Sequence, residues 1–135
     1  GVIKEFDFIH SVDSLSLLER ISRISLEEQK TPNLFLQVKL RNDPQKGGFL
    51  KEDLLNSWSE VIALKNVNLI GLMTIPPIAL DSYQRKDLFH ECKNLANHLG
   101  LKDCSMGMSN DWKEAIEVGA TWIRLGSFLF GKRRT

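Results

Sequence analysis

Five short apolar runs recur along this 135-residue chain, and each passes through turn-forming or small residues into a helical pattern. Phe6 to His10, Leu34 to Val38, Asn68 to Met73, Asp103 to Met106 and Thr121 to Leu125 read as strands. Asp13 is placed to cap a helix carrying Leu15, Leu17, Leu18, Ile21 and Ile24, and Thr31-Pro32-Asn33 ends that unit. A Gly-containing loop, Asn42 to Gly48, leads to a helix from Leu50 to Leu64. Pro76-Pro77 opens the loop before a long helix, Ser82 to His98, which Gly100 stops. A last helix, Asn110 to Val118, is capped by Asn110 or Ser109 and ended by Gly119. Strands alternating with helices predict an α/β fold whose five strands lie parallel and side by side in chain order. A closed (β/α)₈ barrel needs eight such units, so five give a partial one.

The last quarter of the chain names a ligand class. Cys104-Ser105-Met106-Gly107-Met108-Ser109-Asn110-Asp111 and Thr121-Trp122-Ile123-Arg124-Leu125-Gly126-Ser127 each read as a strand that ends in small residues. Two such loops at successive strand ends supply backbone N–H groups, Ser hydroxyls and helix N-termini, the parts of a phosphate cradle. In (β/α)₈ barrels a phosphate site commonly follows strands seven and eight, with a short extra helix, and Leu125 to Gly131 fits that helix. Ser105, Ser109 and Ser127 are the candidate hydroxyls; Gly107 and Gly126 would let the backbone approach closely. Taken singly, each loop is equally well explained as turn and cap chemistry.

The same residues carry a resemblance. Ser105-Met106-Gly107-Met108-Ser109 with Asp111, Ile123-Arg124-Leu125-Gly126-Ser127 with Phe130-Gly131, Ile9-His10-Ser11-Val12-Asp13, Leu36-Gln37-Val38 with Lys46-Gly47, and Gly71-Leu72-Met73-Thr74-Ile75-Pro76-Pro77 resemble, in order, the blocks of the pyridoxal 5′-phosphate (PLP) homeostasis proteins. The stretch from Gln37 to Pro44 is similar to cyanobacterial members. The resemblance covers essentially the whole chain. It implies a partial barrel of the alanine-racemase N-terminal-domain type, comprising strands four to eight of the full barrel. It also implies PLP as cofactor, held by Ser105, Gly107, Met108, Ser109, Arg124, Gly126 and Ser127, with Met106 and Met108 packing rather than donating polar contacts. The PLP-linked lysine of that family sits on its first strand and has no counterpart in this chain. The implied role is non-catalytic: to bind PLP, keep its aldehyde from free solution and deliver it to PLP-dependent apo-enzymes, in the cytoplasm and as a monomer.

Arg124 can be weighed by strand alternation. Ile123 and Leu125 share one face, against helices; Trp122 and Arg124 share the other and point into the barrel. An inward guanidinium is explained either by a buried carboxylate partner or by a ligand. In the resembling family the matching Arg faces the pyridine nitrogen of PLP. A guanidinium stays protonated, so it donates a hydrogen bond without protonating that nitrogen, which disfavours carbanion chemistry.

Other residues invite a role. His10, at a strand end beside Ser11, reads as a hydrogen-bonded structural histidine before a pocket-rim residue. His90 and His98 read as surface. Lys39 alternates with Gln37 and Phe35 but reads as a solvated strand-end lysine, not a covalent anchor. Lys132-Arg133-Arg134 reads as a solvated tail. The sequence shows no Ser-His-Asp order, metal-ligand cluster or Walker-type loop.

Composition excludes more than it assigns. A net charge of +1 gives no argument for nucleic acid or an anionic membrane. Two cysteines, Cys92 and Cys104, make no disulfide framework and suit a reducing compartment. No apolar run reaches a membrane span, and the opening Gly1-Val2-Ile3 carries neither Met nor a signal peptide. The chain reads as a single incomplete domain over residues 1 to 135. Two rivals remain: a PLP-dependent racemase-like enzyme barrel, and a phosphate-binding barrel enzyme that does not use PLP.

Overall fold

The computed structural model describes residues 8–125 and the backbone of residues 128–130. Strands β1 (Phe8–Val12), β2 (Asn33–Lys39), β4 (Asn68–Thr74) and β5 (Asp103–Met106) lie side by side in that order, all parallel. A two-residue strand, β3 (Phe49–Leu50), adds a short parallel pairing to the end of β2. The chain then runs beside β5 through a parallel bridge, Ser105 to Trp122, and enters β6 (Ile123–Leu125). For β1, β2, β4 and β5 chain order is sheet order, as the alternation predicts; β3 lies off that path, and β6 belongs to a separate two-stranded sheet.

Side-chain caps open two of the four described helices, and the other two start without one. Helix α1 (Leu15–Glu28) starts at Ser14, whose hydroxyl accepts from Leu17 N; Asp13, the expected cap, lies one residue outside. Helix α2 spans Lys51–Ala63. Helix α3 (Ser82–His98) opens on a capping box, in which Asp81 Oδ1 accepts from Gln84 N and Gln84 Oε1 accepts from Asp81 N. Helix α4 (Trp112–Val118) starts at Asp111 rather than at Asn110 or Ser109, and ends on Gly119 at φ 106°. Leu34, Leu36, Val38, Leu72, Cys104 and Met106 of the sheet pack with Leu18, Leu54, Val61, Leu88, Phe89 and Leu95 of the helices as one core.

The opposite, inner face holds a second, aromatic set. Phe8, His10, Phe35 and Trp122 bring their rings together at centroid distances of 4.3 to 5.8 Å. In a flat sheet β1 and β5 stand three spacings apart, roughly 14 Å. Yet His10 Nδ1 on β1 lies 3.0 Å from Ser105 Oγ on β5. The sheet therefore curls tightly about this face, as the wall of a barrel does.

One expected element differs. The short helix expected between Leu125 and Gly131 is absent at Phe128–Phe130, which form strand β7, antiparallel to β6. Phe-Leu-Phe favours extended backbone, and pairing with β6 satisfies it. The start of the first expected strand, Phe6-Asp7, the cradle candidates Gly126 and Ser127, and the basic tail Lys132-Arg133-Arg134 lie outside the described residues.

Candidate functional site

Of the candidate residues, Ser105 lies on β5, Gly107, Met108 and Ser109 follow it, and Arg124 lies on β6. Strand alternation turns Ser105 inward, and its hydroxyl is taken up by His10 Nδ1 at 3.0 Å. Gly107 is buried at φ +102°, and a Cβ there would stand 2.8 Å from the Ala115 methyl and 3.1 Å from Trp112 Cα. Its glycine character thus serves the close seating of α4 under the loop. Its carbonyl accepts from Arg124 N at 2.9 Å, which ties the loop to β6. Met108 and Ser109 are exposed beyond it. Met106 packs in the core, as read; Met108 is 42% exposed and does not.

Asp111 changes the expected chemistry of this loop. Its carboxylate is buried and accepts from Met108 N at 2.7 Å. Burial pushes its pKa up, against the pull of that N–H and of Arg85. A carboxylate therefore stands at the start of α4, with Glu114 in the first turn. Both add negative charge near that helix end, although Asp111 makes no cap bond to the helix N–H groups and Glu114 is engaged by Arg85.

Arg124 points inward, as alternation predicts. Its Nη2 lies 3.8 Å from Met73 Sδ, a weak contact, and burial lowers its pKa. Among the described residues no carboxylate pairs with it. Its field also reaches His10, whose pKa is lowered to about 4, first by burial and then by the Arg124 charge. The histidine is thus neutral at physiological pH. Its Nε2 and the neighbouring Trp122 Nε1 are buried without hydrogen-bond partners. The reading of His10 as a hydrogen-bonded histidine holds. Its bond to Ser105 was not legible, since that partner comes from β5, 95 residues away.

Above the loop, a cleft of about 360 Å³ lies between the ends of β4 and β5. Lys46 and Arg85 give it positive charge, Pro77 and Ile78 an apolar wall, and Ser109 and Asn110 polar atoms. Arg85 is already engaged by Glu114 through Nε and Nη2. Lys39 Nζ approaches Asp43 O at 3.4 Å, at the strand end where it was read. His90 and His98 are exposed on α3. Among the described residues no group of His, Cys, Asp and Glu is arranged to hold a metal. No described helix is long and apolar enough to cross a membrane.

Comparison with known proteins agrees with this architecture. Residues 2–134 match the family model described as alanine racemase, N-terminal domain. A pyridoxal phosphate homeostasis protein of Synechocystis is 44% identical over 98% of this chain and 63% of its own length. PipY of Synechococcus elongatus, solved without PLP, superposes with a TM-score of 0.89 at 41% identity, over 93% of this chain and 62% of PipY. PipY with PLP bound gives a TM-score of 0.87 at 40% identity, over 93% and 61%. The chain thus spans a little over 60% of the length of these relatives. With its parallel, tightly curled sheet and the motifs at its strand ends, the chain belongs to the alanine racemase N-terminal-domain family, on the branch of the pyridoxal phosphate homeostasis proteins.

Proposed function

We propose that this chain forms the phosphate- and ring-nitrogen-binding part of a PLP site, and that its role is carriage of PLP rather than catalysis. One observation carries the reading: an inward guanidinium, Arg124, without a carboxylate partner among the described residues, beside a small-residue loop at the adjacent strand end. The relatives' names, and PipY with PLP bound, support the choice of ligand.

PLP, when bound, supplies an aldehyde that condenses with amines and a pyridine ring that can accept electrons. The chain's residues hold and orient it. Ser109, with Ser127 and Gly126, takes the phosphate; Ser105, already bonded to His10, belongs to the wall beneath the ring. Gly107 lets the loop sit low on α4, and Met108 flanks it. Arg124 donates to the ring nitrogen and leaves it unprotonated, which suits a carrier. A PLP-dependent racemase-like enzyme, or a barrel enzyme acting on another phosphate, would need an acid–base pair. His10, neutral and enclosed by aromatic rings, is a poor candidate for one. Delivery to apo-enzymes, a monomeric single domain and a cytoplasmic setting complete the proposal; the two free, buried thiols suit a reducing compartment.

The test is a PLP titration of the chain, followed by absorbance and by ³¹P resonance, beside Ser109→Ala and Arg124→Ala. Saturable binding that both variants weaken supports the site. Binding indifferent to both overturns it.

A further inference from the structure

Helix α4 is seven residues long, too short to hold itself, and the residue that opens it makes no side-chain cap bond. The loop from Gly107 to Asp111 nevertheless takes its position from that helix. Gly107 sits so close that a Cβ would stand 2.8 Å from the Ala115 methyl, and Asp111 accepts from Met108 N at 2.7 Å. What holds α4 is α3. Arg85, near the start of α3, donates from Nε at 2.9 Å and from Nη2 at 2.6 Å to Glu114 Oε2 in the first turn of α4. Its Nη1 donates to Leu80 O at 2.7 Å, in the connection from β4 to α3. The two side chains are only 23% and 15% exposed, so salt screens the pair little. The other described tethers between these helices are weaker. Lys86 and Glu117 are 38% and 61% exposed, and Lys93 Nζ reaches Gly119 O at 3.4 Å, at the far end of α4.

We propose that Arg85 is a positioning residue for phosphate recognition: by clamping the start of α4 to the β4–α3 connection, it holds the loop from Gly107 to Asp111, and Ser109 with it, where a phosphate is met. The inference rests on the PLP reading above for its ligand; the clamp itself needs none. One planar guanidinium spans both elements, with Nη1 on the connection and Nε and Nη2 on α4. A lysine offers a point charge without that fork. With these donors engaged, Arg85 stands in the wall of the cleft as a strut rather than as the group that meets the ligand. Without it α4 would keep the exposed tether to Lys86 and the distal one to Lys93, and a ligand would have to order the loop itself.

Two measurements test this, on Arg85→Met, Glu114→Gln and the double variant. Amide exchange with no ligand present reads the loop. Faster exchange at Met108, Ser109 and Asn110 in Arg85→Met, with the amides of β2 and β4 unchanged, is the expected result; loop exchange equal to the parent overturns the proposal. PLP titration reads recognition. A ligand that must order the loop on binding is expected to bind Arg85→Met about tenfold more weakly. At saturation its bound PLP should show a moved ³¹P resonance and an unmoved ring absorbance band, since Arg124 is untouched. Glu114→Gln keeps an acceptor oxygen without the charge and should move the same readings less; it carries the test if Arg85→Met does not fold. The double variant should bind PLP no more weakly than Arg85→Met alone, as partners in one contact do. A ³¹P resonance at the parental position, equal movement of both signals, or additive losses overturn the positioning role. Parental chain whose loop exchange responds to Arg85→Met but which takes up no PLP supports the strut and overturns the PLP reading instead.

Discussion

Phe8 and Trp122 bring their ring centroids to 4.9 Å, although β1 and the segment entering β6 stand at opposite ends of the sheet. Curvature alone makes that contact. It gathers His10 and Phe35 with these rings over Ser105, on the same inward face to which Arg124 turns its guanidinium toward the Met73 sulfur. A lone guanidinium placed there acts in a lower dielectric than at a surface, so its interaction with a ligand is stronger.

Arg124→Met should separate function from stability. A half-buried charge without a carboxylate partner among the described residues costs free energy, and a methionine of similar length removes that cost. Thermal unfolding is expected to be unchanged or to move upward, while PLP binding is lost. A variant that unfolds more readily and still binds PLP would contradict both halves.

Stability should fall on acidification through His10. Folding lowers its pKa from 6.5 to about 4, so the unfolded chain binds the proton more readily. The contribution is complete above pH 6.5 and is lost as pH falls toward 4. A shift of this size corresponds to on the order of 3 kcal/mol. Denaturant unfolding from pH 7 to pH 4, compared with His10→Gln, isolates it; parallel pH curves for the two proteins would rule it out.

Gly71→Ala should disrupt the sheet. A Cβ at Gly71 would run into the Asp103 carbonyl on β5 and stand 2.7 Å from the Phe35 ring. The carbonyl is backbone, held in the parallel ladder, and cannot give way as a flexible side chain would. A loss of roughly 1–3 kcal/mol is expected from such overpacking. Chemical denaturation measures it, and near-ultraviolet circular dichroism should show the aromatic cluster loosened.

Asp111→Ala should loosen the loop that carries Met108 and Ser109. It leaves Met108 N–H without its 2.7 Å acceptor, for a loss of about 1–2 kcal/mol. Amide exchange at Met108 should quicken. Asp111→Asn keeps an acceptor oxygen and should stay close to the parent; equally fast exchange in both variants would assign the effect to charge instead.

Borohydride treatment of the PLP-soaked chain should give no single dominant pyridoxyl adduct at Lys39. Its ammonium approaches the Asp43 carbonyl at the strand end, and no observation places it beside Arg124. Peptide mass mapping decides the point, and one dominant Lys39 product would place the aldehyde at β2.

The amino-acid sequence by itself determined the order and type of the elements. Helix α3 runs from Ser82 to His98 as read, because Asp81 and Gln84 close a capping box and Gly100 follows. Gly119 ends α4, and strand alternation turns Trp122 and Arg124 to one face. These are short-range effects of capping, turn chemistry and side-chain period, written within a few residues. The tertiary structure alone decided the rest. His10 and Ser105 are 95 residues apart and meet only because the sheet curls. Asp111, not Ser109 or Asn110, opens α4, because its carboxylate reaches back to Met108 N. Phe128–Phe130 extend because β6 offers an edge to pair with. Each of these outcomes depends on which distant groups are brought near and on how far water is excluded there, and neither quantity is encoded in local periodicity.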